Sequence, residues 1–215
     1  MTKLIIFDLD GTLLNTIADL AASTNHALTA CGHPERRLKE YNLLVGRGIA
    51  NLMRGALPED ARSEEEVQKM LSIFVPYYTE HIADLTTPYP GIPELLQEAS
   101  DKGIRLAIAS NKFQSGTEIL VRKFFPGISF VKILGQREGA PIKPDPQIVL
   151  EAMEAAGTDI SREEVSYVGD SNVDMQTGIN AGVRTIGVSW GFRTREELAA
   201  YNPYRIAEKP SDILD

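Results

Sequence analysis

Five short apolar runs, at residues 3–7, 105–109, 131–134, 165–168 and 185–188, punctuate this chain. Each is too short for a helix and gives way to polar residues, as does a strand buried on both faces that feeds a loop. Helical patterns lie between them, at 92–102, 115–124, 146–156 and 174–181. Strands alternating with helices predict an α/β fold around a parallel sheet, since parallel neighbours need a crossover and a helix usually supplies it. With 215 residues there is room for one such domain and a small insertion.

The interval from 15 to 82 breaks this rhythm. It carries helical patterns at 17–30, 48–56 and 64–80 and no convincing strand. Its exit is marked by Thr87-Pro88-Tyr89-Pro90-Gly91, a turn that neither a helix nor a central strand accommodates. The expectation is an all-helical insertion, residues 15–82, set into a core made of residues 1–14 and 83–215. Placed after the first strand, it would sit over the carboxyl ends of the sheet, where open α/β sheets bind ligands. Three clusters, beginning at Ser63, Ser161 and Thr194, fit the capping-box pattern, in which the acidic residue three positions on reaches back to the cap.

Composition narrows the function. The chain is 43% hydrophobic and 24% charged, as a soluble globular protein is. No apolar run approaches the ~18 residues of a membrane span. The start, Met1-Thr2-Lys3 followed at once by a strand and acidic residues, predicts no secretory leader. Cys31 is the only cysteine, so no intrachain disulfide forms, which fits a cytoplasmic protein. A net charge of −8 without blocks of like charge argues against a nucleic-acid partner. A negative chain that takes a small anion must build a local positive site from metal, helix N-termini and a few placed cations.

The strongest chemical signal is Asp8-Leu9-Asp10-Gly11-Thr12-Leu13, directly after the first strand. A strand tip fixes Asp8, and Gly11 lets the backbone turn close to a ligand. Two carboxylates so near each other repel unless a cation lies between them or their roles differ. One could attack phosphorus beside a hard cation while the other serves as acid and then base. Read alone, the segment is also compatible with an Asx-type turn. Three later strand ends add to it. Ser110-Asn111-Lys112 offers a hydroxyl and an amide to phosphate oxygens. Lys143-Pro144-Asp145-Pro146 offers a fixed counter-charge ahead of a helix. Gly169-Asp170-Ser171-Asn172-Val173-Asp174 offers a second acidic pair for one ion, with Asp174 as metal ligand, helix N-cap or both.

These four segments, in this order and over essentially the whole chain, resemble the motifs of the haloacid dehalogenase-like hydrolases. The resemblance implies a Rossmann-like core with a helical cap inserted after the first strand, and a Mg²⁺-dependent phosphatase acting on a small anionic phosphate ester. It implies Asp8 as nucleophile and metal ligand, and Asp10 as general acid/base that gives its backbone carbonyl to the metal. Thr12 would support the phosphate loop, while Ser110, Asn111 and Lys143 hold phosphate. Asp170 would bind Mg²⁺, with Asp174 reaching it through water.

Within the family, Val45-Gly46-Arg47-Gly48-Ile49 and Gly187-Val188-Ser189-Trp190-Gly191-Phe192 resemble segments of phosphoglycolate phosphatases. For Arg47 two readings stay open: a cap residue that meets a substrate carboxylate, or a solvated residue in a turn. The aromatic pair Trp190 and Phe192 reads as packing. A dehalogenase would lack the second acid at position 10. A phosphonatase would need a Schiff-base lysine in the insertion, where Lys39 and Lys69 read as solvated. β-Phosphoglucomutase, pyrophosphatase and nucleotidase activities share Asp8 and Asp10 and remain alternatives. A non-enzymatic phosphometabolite-binding module is the alternative of another class, and the intact set of Asp8, Asp10, Lys143 and Asp170 argues against it. His26, His33 and His81 are scattered and receive no role.

Overall fold

The computed structural model describes residues 2–214. Its strands, in chain order, are β1 (Leu4–Phe7), β2 (Leu14–Asn15), β3 (Thr87–Pro88), β4 (Arg105–Phe113), β5 (Phe130–Gln136), β6 (Val165–Gly169), β7 (Arg184–Val188) and β8 (Arg205–Ala207). Six of them form one parallel sheet in the order β5-β4-β1-β6-β7-β8. The first strand in sequence is therefore interior, flanked by β4 through Phe7↔Ile108 and by β6 through Phe7↔Val168. Chain order reverses on its two sides, and such a switch point opens a crevice at the carboxyl ends of the strands.

The unbroken apolar run of β1 has a packing reason. Ile5 and Phe7 belong to one buried cluster together with Leu95 and Leu96 of α5 (Ile92–Asp101). Leu4 and Ile6 belong to the other, with Val149 and Ala152 of α7 (Gln147–Ala156). Side chains alternate across a strand, so a sheet covered on both faces needs apolar residues at every position. Helices α6 (Gln114–Phe124) and α8 (Asn172–Ala181) complete the core crossovers, and a short α9 (Arg195–Ala199) follows β7.

Between β2 and β3 the chain forms α1 (Ile17–Ala30), α2 (Leu38–Leu44), α3 (Ile49–Ala56) and α4 (Glu64–His81). The sequence missed α2, which has seven residues and buries only Tyr41, too few for a periodic signal. On α4, Val67, Met70, Phe74 and Tyr78 form one buried stripe at helical spacing. That stripe lies in the same cluster as Ile5 and Phe7. The two connections to these helices pair with each other as the antiparallel ribbon β2-β3, Leu14↔Pro88 and Asn15↔Thr87. The exit is thus more than a turn, and Pro88 is tolerated because so short a ribbon has no second neighbour. Buried Asp19 fastens the same junction. Its carboxylate accepts from the backbone N–H groups of Leu85 (3.0 Å) and Thr86 (2.8 Å) and from the Thr86 hydroxyl (2.7 Å).

One expectation about local order needs correction, and one strand lies outside the expected set. The capping boxes at Ser161 and Thr194 are present, but Glu66 does not reach back to Ser63; it turns to His33, 3.0 Å away. β8 was invisible in the sequence because three residues added at a sheet edge leave almost no pattern.

Candidate active site

Asp8 follows β1 directly, and its backbone N–H donates to the Val168 carbonyl at 2.9 Å, so the sheet itself aims this side chain. Lys143 lies across from it, on the segment before α7, with its Nζ 2.9 Å from Asp8 Oδ1 and 2.7 Å from Asp174 Oδ1. Tyr167 of β6 braces this amine, accepting from Lys143 Nζ at 2.9 Å and donating to Asp174 Oδ1 at 3.1 Å. Asp170 comes off the end of β6 and accepts from Thr12 Oγ1 at 3.3 Å and from the Phe192 N–H at 2.7 Å. The indole of Trp190 donates to the Thr12 carbonyl at 3.0 Å. The tail aromatics thus pack, as expected, and their N–H groups also hold the two motif loops together.

Asp174 is not the N-cap of α8. Ser171 takes that position, and Asp174 stands three residues on, its Oδ2 accepting from the Ser171 N–H and hydroxyl. Its other oxygen faces Lys143, so Asp174 serves the helix and the site at once.

Carboxylate oxygens of Asp8, Asp170 and Asp174 lie within 4.8 Å of one another, and all three residues are buried. Lys143 alone neutralises at most one of them. Burial, and then the charge of Asp174, pushes the Asp8 carboxyl up to about 7. Asp170 is raised well above the usual carboxylate range, again first by burial and then by Asp174 and Asp8. Burial by itself pulls the Lys143 amine down, but Asp174 and Asp8 raise it well above its ordinary value. Buried carboxylates in excess of cations are unfavourable without a further positive charge. An all-oxygen donor set fits a hard divalent cation. The backbone allows the carboxylates to come this close: at Gly11, whose φ is +87°, a Cβ would lie 2.4 Å from Asp170 Oδ2.

Asp10 faces a different partner. Lys112 of β4 places its Nζ 3.1 and 3.2 Å from the two Asp10 oxygens and 2.7 Å from the hydroxyl of Tyr78 on α4. Sequence reasoning named Lys112 within the strand-end tripeptide and gave it no role. β4 runs on through Phe113, past its expected end, and carries Lys112 inward, where its side chain is 2% exposed. Tyr78 was hidden in the apolar stripe of α4.

Asn111 acts as a clasp. Its amide donates to the carbonyls of Gly46 (3.0 Å) and Lys143 (3.1 Å), and its Oδ1 accepts from the Lys143 N–H at 2.8 Å. It therefore joins β4 to the Lys143 segment and to the inserted helices. Arg193 makes a second link, donating to the carbonyls of Leu43 and Val45 at the end of α2.

Asp8, Asp10, Ser110, Asn111, Lys112 and Lys143 share one cavity of about 30 Å³. Its remaining wall comes from the inserted helices and the loop before α3, as Leu20, Val45, Gly46, Gly48, Ile49 and Leu52. Arg47 is not brought to it. Although both neighbouring glycines line the cavity, Arg47 is exposed and lines a separate groove of about 690 Å³ with Arg54, Arg62 and Arg193. Lys39 and Lys69 are exposed as expected.

A family model described as haloacid dehalogenase-like hydrolase matches residues 5–188. Phosphoglycolate phosphatase 1 of Pseudomonas aeruginosa is 30% identical over 218 residues, which cover 100% of this chain and 79% of the relative. The phosphoglycolate phosphatase of Agrobacterium fabrum is 35% identical over 194 residues, 89% of this chain and 82% of its own length. Among solved structures, a candidate phosphoglycolate phosphatase from Lactobacillus delbrueckii matches with a TM-score of 0.91 at 32% identity, covering 99% of this chain and 97% of that one.

Proposed function

The chain belongs to the haloacid dehalogenase-like hydrolase family, and from that premise we propose that it is a Mg²⁺-dependent phosphatase of small phosphate monoesters, with 2-phosphoglycolate as its substrate. The observation that carries this reading is the strand-tip carboxylate of Asp8, held 2.9 Å from Lys143 beside two further buried carboxylates. The named relatives support the same substrate. The wall that the inserted helices give the cavity supports it too. Its side chains, Leu20, Val45, Ile49 and Leu52, offer nothing to the hydroxyls of a sugar, which favours a short leaving group over a phosphohexose.

In this reading residues 15–82 act as a cap over a core of residues 1–14 and 83–215. Asp8, Asp170 and Asp174 would hold the Mg²⁺, Asp174 through water, and the Asp10 backbone carbonyl would join them. When bound, the metal neutralises phosphate charge that would otherwise repel the attacking carboxylate. Lys143 and the Ser110 hydroxyl bind the phosphoryl oxygens, and Asn111 fixes the Lys143 segment. Thr12, turned toward Asp170, keeps the loop and the metal carboxylate in register. The free oxygen of Asp8 attacks phosphorus as the ester oxygen leaves, and Asp10 supplies the proton that oxygen needs. Asp10 then takes a proton from water, which attacks the aspartyl phosphate and frees Asp8 and phosphate. Fixed charges around the transferring group provide most of the acceleration.

The test is a panel of 2-phosphoglycolate, β-glucose 1-phosphate, pyrophosphate and a nucleoside monophosphate, with Mg²⁺, for wild type and Asp8→Asn. Leading turnover of 2-phosphoglycolate together with a dead variant supports both parts. Another leading ester removes the substrate, and a fully active Asp8→Asn removes the mechanism.

A further inference from the structure

Resting on that reading and deepening it, we infer that Lys112, held by Tyr78, is the residue that recognises the substrate's carboxylate. Two cations line the cavity, Lys143 and Lys112. Lys143 is engaged by Asp8 and Asp174 on the phosphoryl side. Lys112 stands on the other side, within 3.1–3.2 Å of both oxygens of Asp10.

Asp10 must come within hydrogen-bonding reach of the leaving oxygen, ~3 Å. A group bonded to Asp10 is therefore roughly two such contacts from that oxygen. In the ester of a short 2-hydroxy acid, one carbon separates the leaving oxygen from the carboxylate, whose oxygens lie ~3 Å from it, so one further hydrogen bond of ~3 Å completes the same distance. The ammonium on Asp10 thus lies within hydrogen-bonding reach of where that carboxylate must fall. The wall given by the inserted helices carries only apolar side chains, Leu20, Val45, Ile49 and Leu52, so a carboxylate placed there would be buried without a cationic partner if Lys112 were absent. Tyr78 fixes the amine from the inserted helices, accepting from it at 2.7 Å, with its ring 4.7 Å below the nitrogen. The carboxylate-reading position is then complete only when α4 is seated on the core. The ligand class is a phosphate ester of a two- or three-carbon 2-hydroxy acid.

The experiment compares kcat/KM for 2-phosphoglycolate and for ethyl phosphate, which has the same chain without the carboxylate, using full-length protein and saturating Mg²⁺. Both esters need the same Asp10, so their ratio cancels whatever a substitution does to the acid. Lys112→Met should lower the ratio ~10–100-fold, the worth of a hydrogen bond to a charged group. Lys112→Arg should restore part of it, and the isosteric Tyr78→Phe, which keeps the core packed, should lower it several-fold. An unchanged ratio in both Lys112→Met and Tyr78→Phe overturns the inference even if overall activity falls. A collapse of the ratio in Arg47→Ala instead transfers the role to Arg47 and overturns it too. A wild-type ratio near one refutes the substrate reading itself, while Asp8→Asn still reports separately on the phosphatase chemistry.

Discussion

Replacing Asp19 tests whether the inserted helices are fastened as the structure implies. Its carboxylate is 2% exposed and takes three donors from the exit connection: the Leu85 N–H, the Thr86 N–H and the Thr86 hydroxyl. In Asp19→Ala the hydroxyl keeps the Ile82 carbonyl at 3.3 Å, whereas both N–H groups lose their acceptor. A buried donor left without a partner costs ~1–3 kcal/mol. Leu85 N–H is part-buried and falls at the low end, while Thr86 N–H is buried. Relief of the buried carboxylate offsets a fraction, leaving ~3 kcal/mol of destabilisation, or a Tm lower by ~6–12 °C in a chain of this size. Asp19→Asn keeps the oxygen that serves Thr86 and should lose only ~1–2 kcal/mol. The assay is equilibrium urea denaturation followed by circular dichroism and by the fluorescence of Trp190, the single tryptophan. The midpoint should fall at constant m, in the order Ala more than Asn. A loss below ~1 kcal/mol for Asp19→Ala would mean that water or a rearranged loop satisfies these donors, and the account of the junction would be refuted.

Metal-free protein should lose stability as pH rises. Asp8 is raised from 3.8 to about 7, so its contribution is complete below 3.8 and is lost as pH climbs through about 7. The Tm gap between Mg²⁺ and EDTA should therefore widen from pH 5 to 8, and a constant gap would count against a metal on Asp8. Gly11→Ala places a Cβ 2.4 Å from Asp170 Oδ2 on a backbone at φ +87°, so Mg²⁺ affinity measured by calorimetry should fall at least ~10-fold. Arg193→Ala removes the two donors on the Leu43 and Val45 carbonyls, so limited proteolysis in the 38–57 region should speed up several-fold, with a stability loss of only ~1 kcal/mol by denaturation.

Much of this protein was legible as sequence because its signals are local. The run Leu4–Phe7 is apolar at every position because the strand is covered on both faces, and the polar residues after it stand at a strand tip by covalent connection alone. Alternation of strands and helices therefore fixed both the parallel sheet and the edge of the sheet where Asp8, Ser110, Lys143 and Asp170 gather. The boundaries of α1 and the break in rhythm from 15 to 82 were equally visible. What the sequence lacked was anything set by partners distant in the chain. Lys112 looks like any surface lysine until β4, extended by pairing with β5, carries it to an Asp10 that is 102 positions away and a Tyr78 that is 34 away. Arg47 sits between two cavity-lining glycines, yet backbone direction in that loop turns its side chain to another groove. The order β5-β4-β1-β6-β7-β8, the ribbon joining the two connections and the Asp19 clasp are likewise tertiary decisions. Periodicity and turn chemistry act over a few residues. Which cation meets which carboxylate is decided only when packing has brought remote strand ends together and removed the water between them.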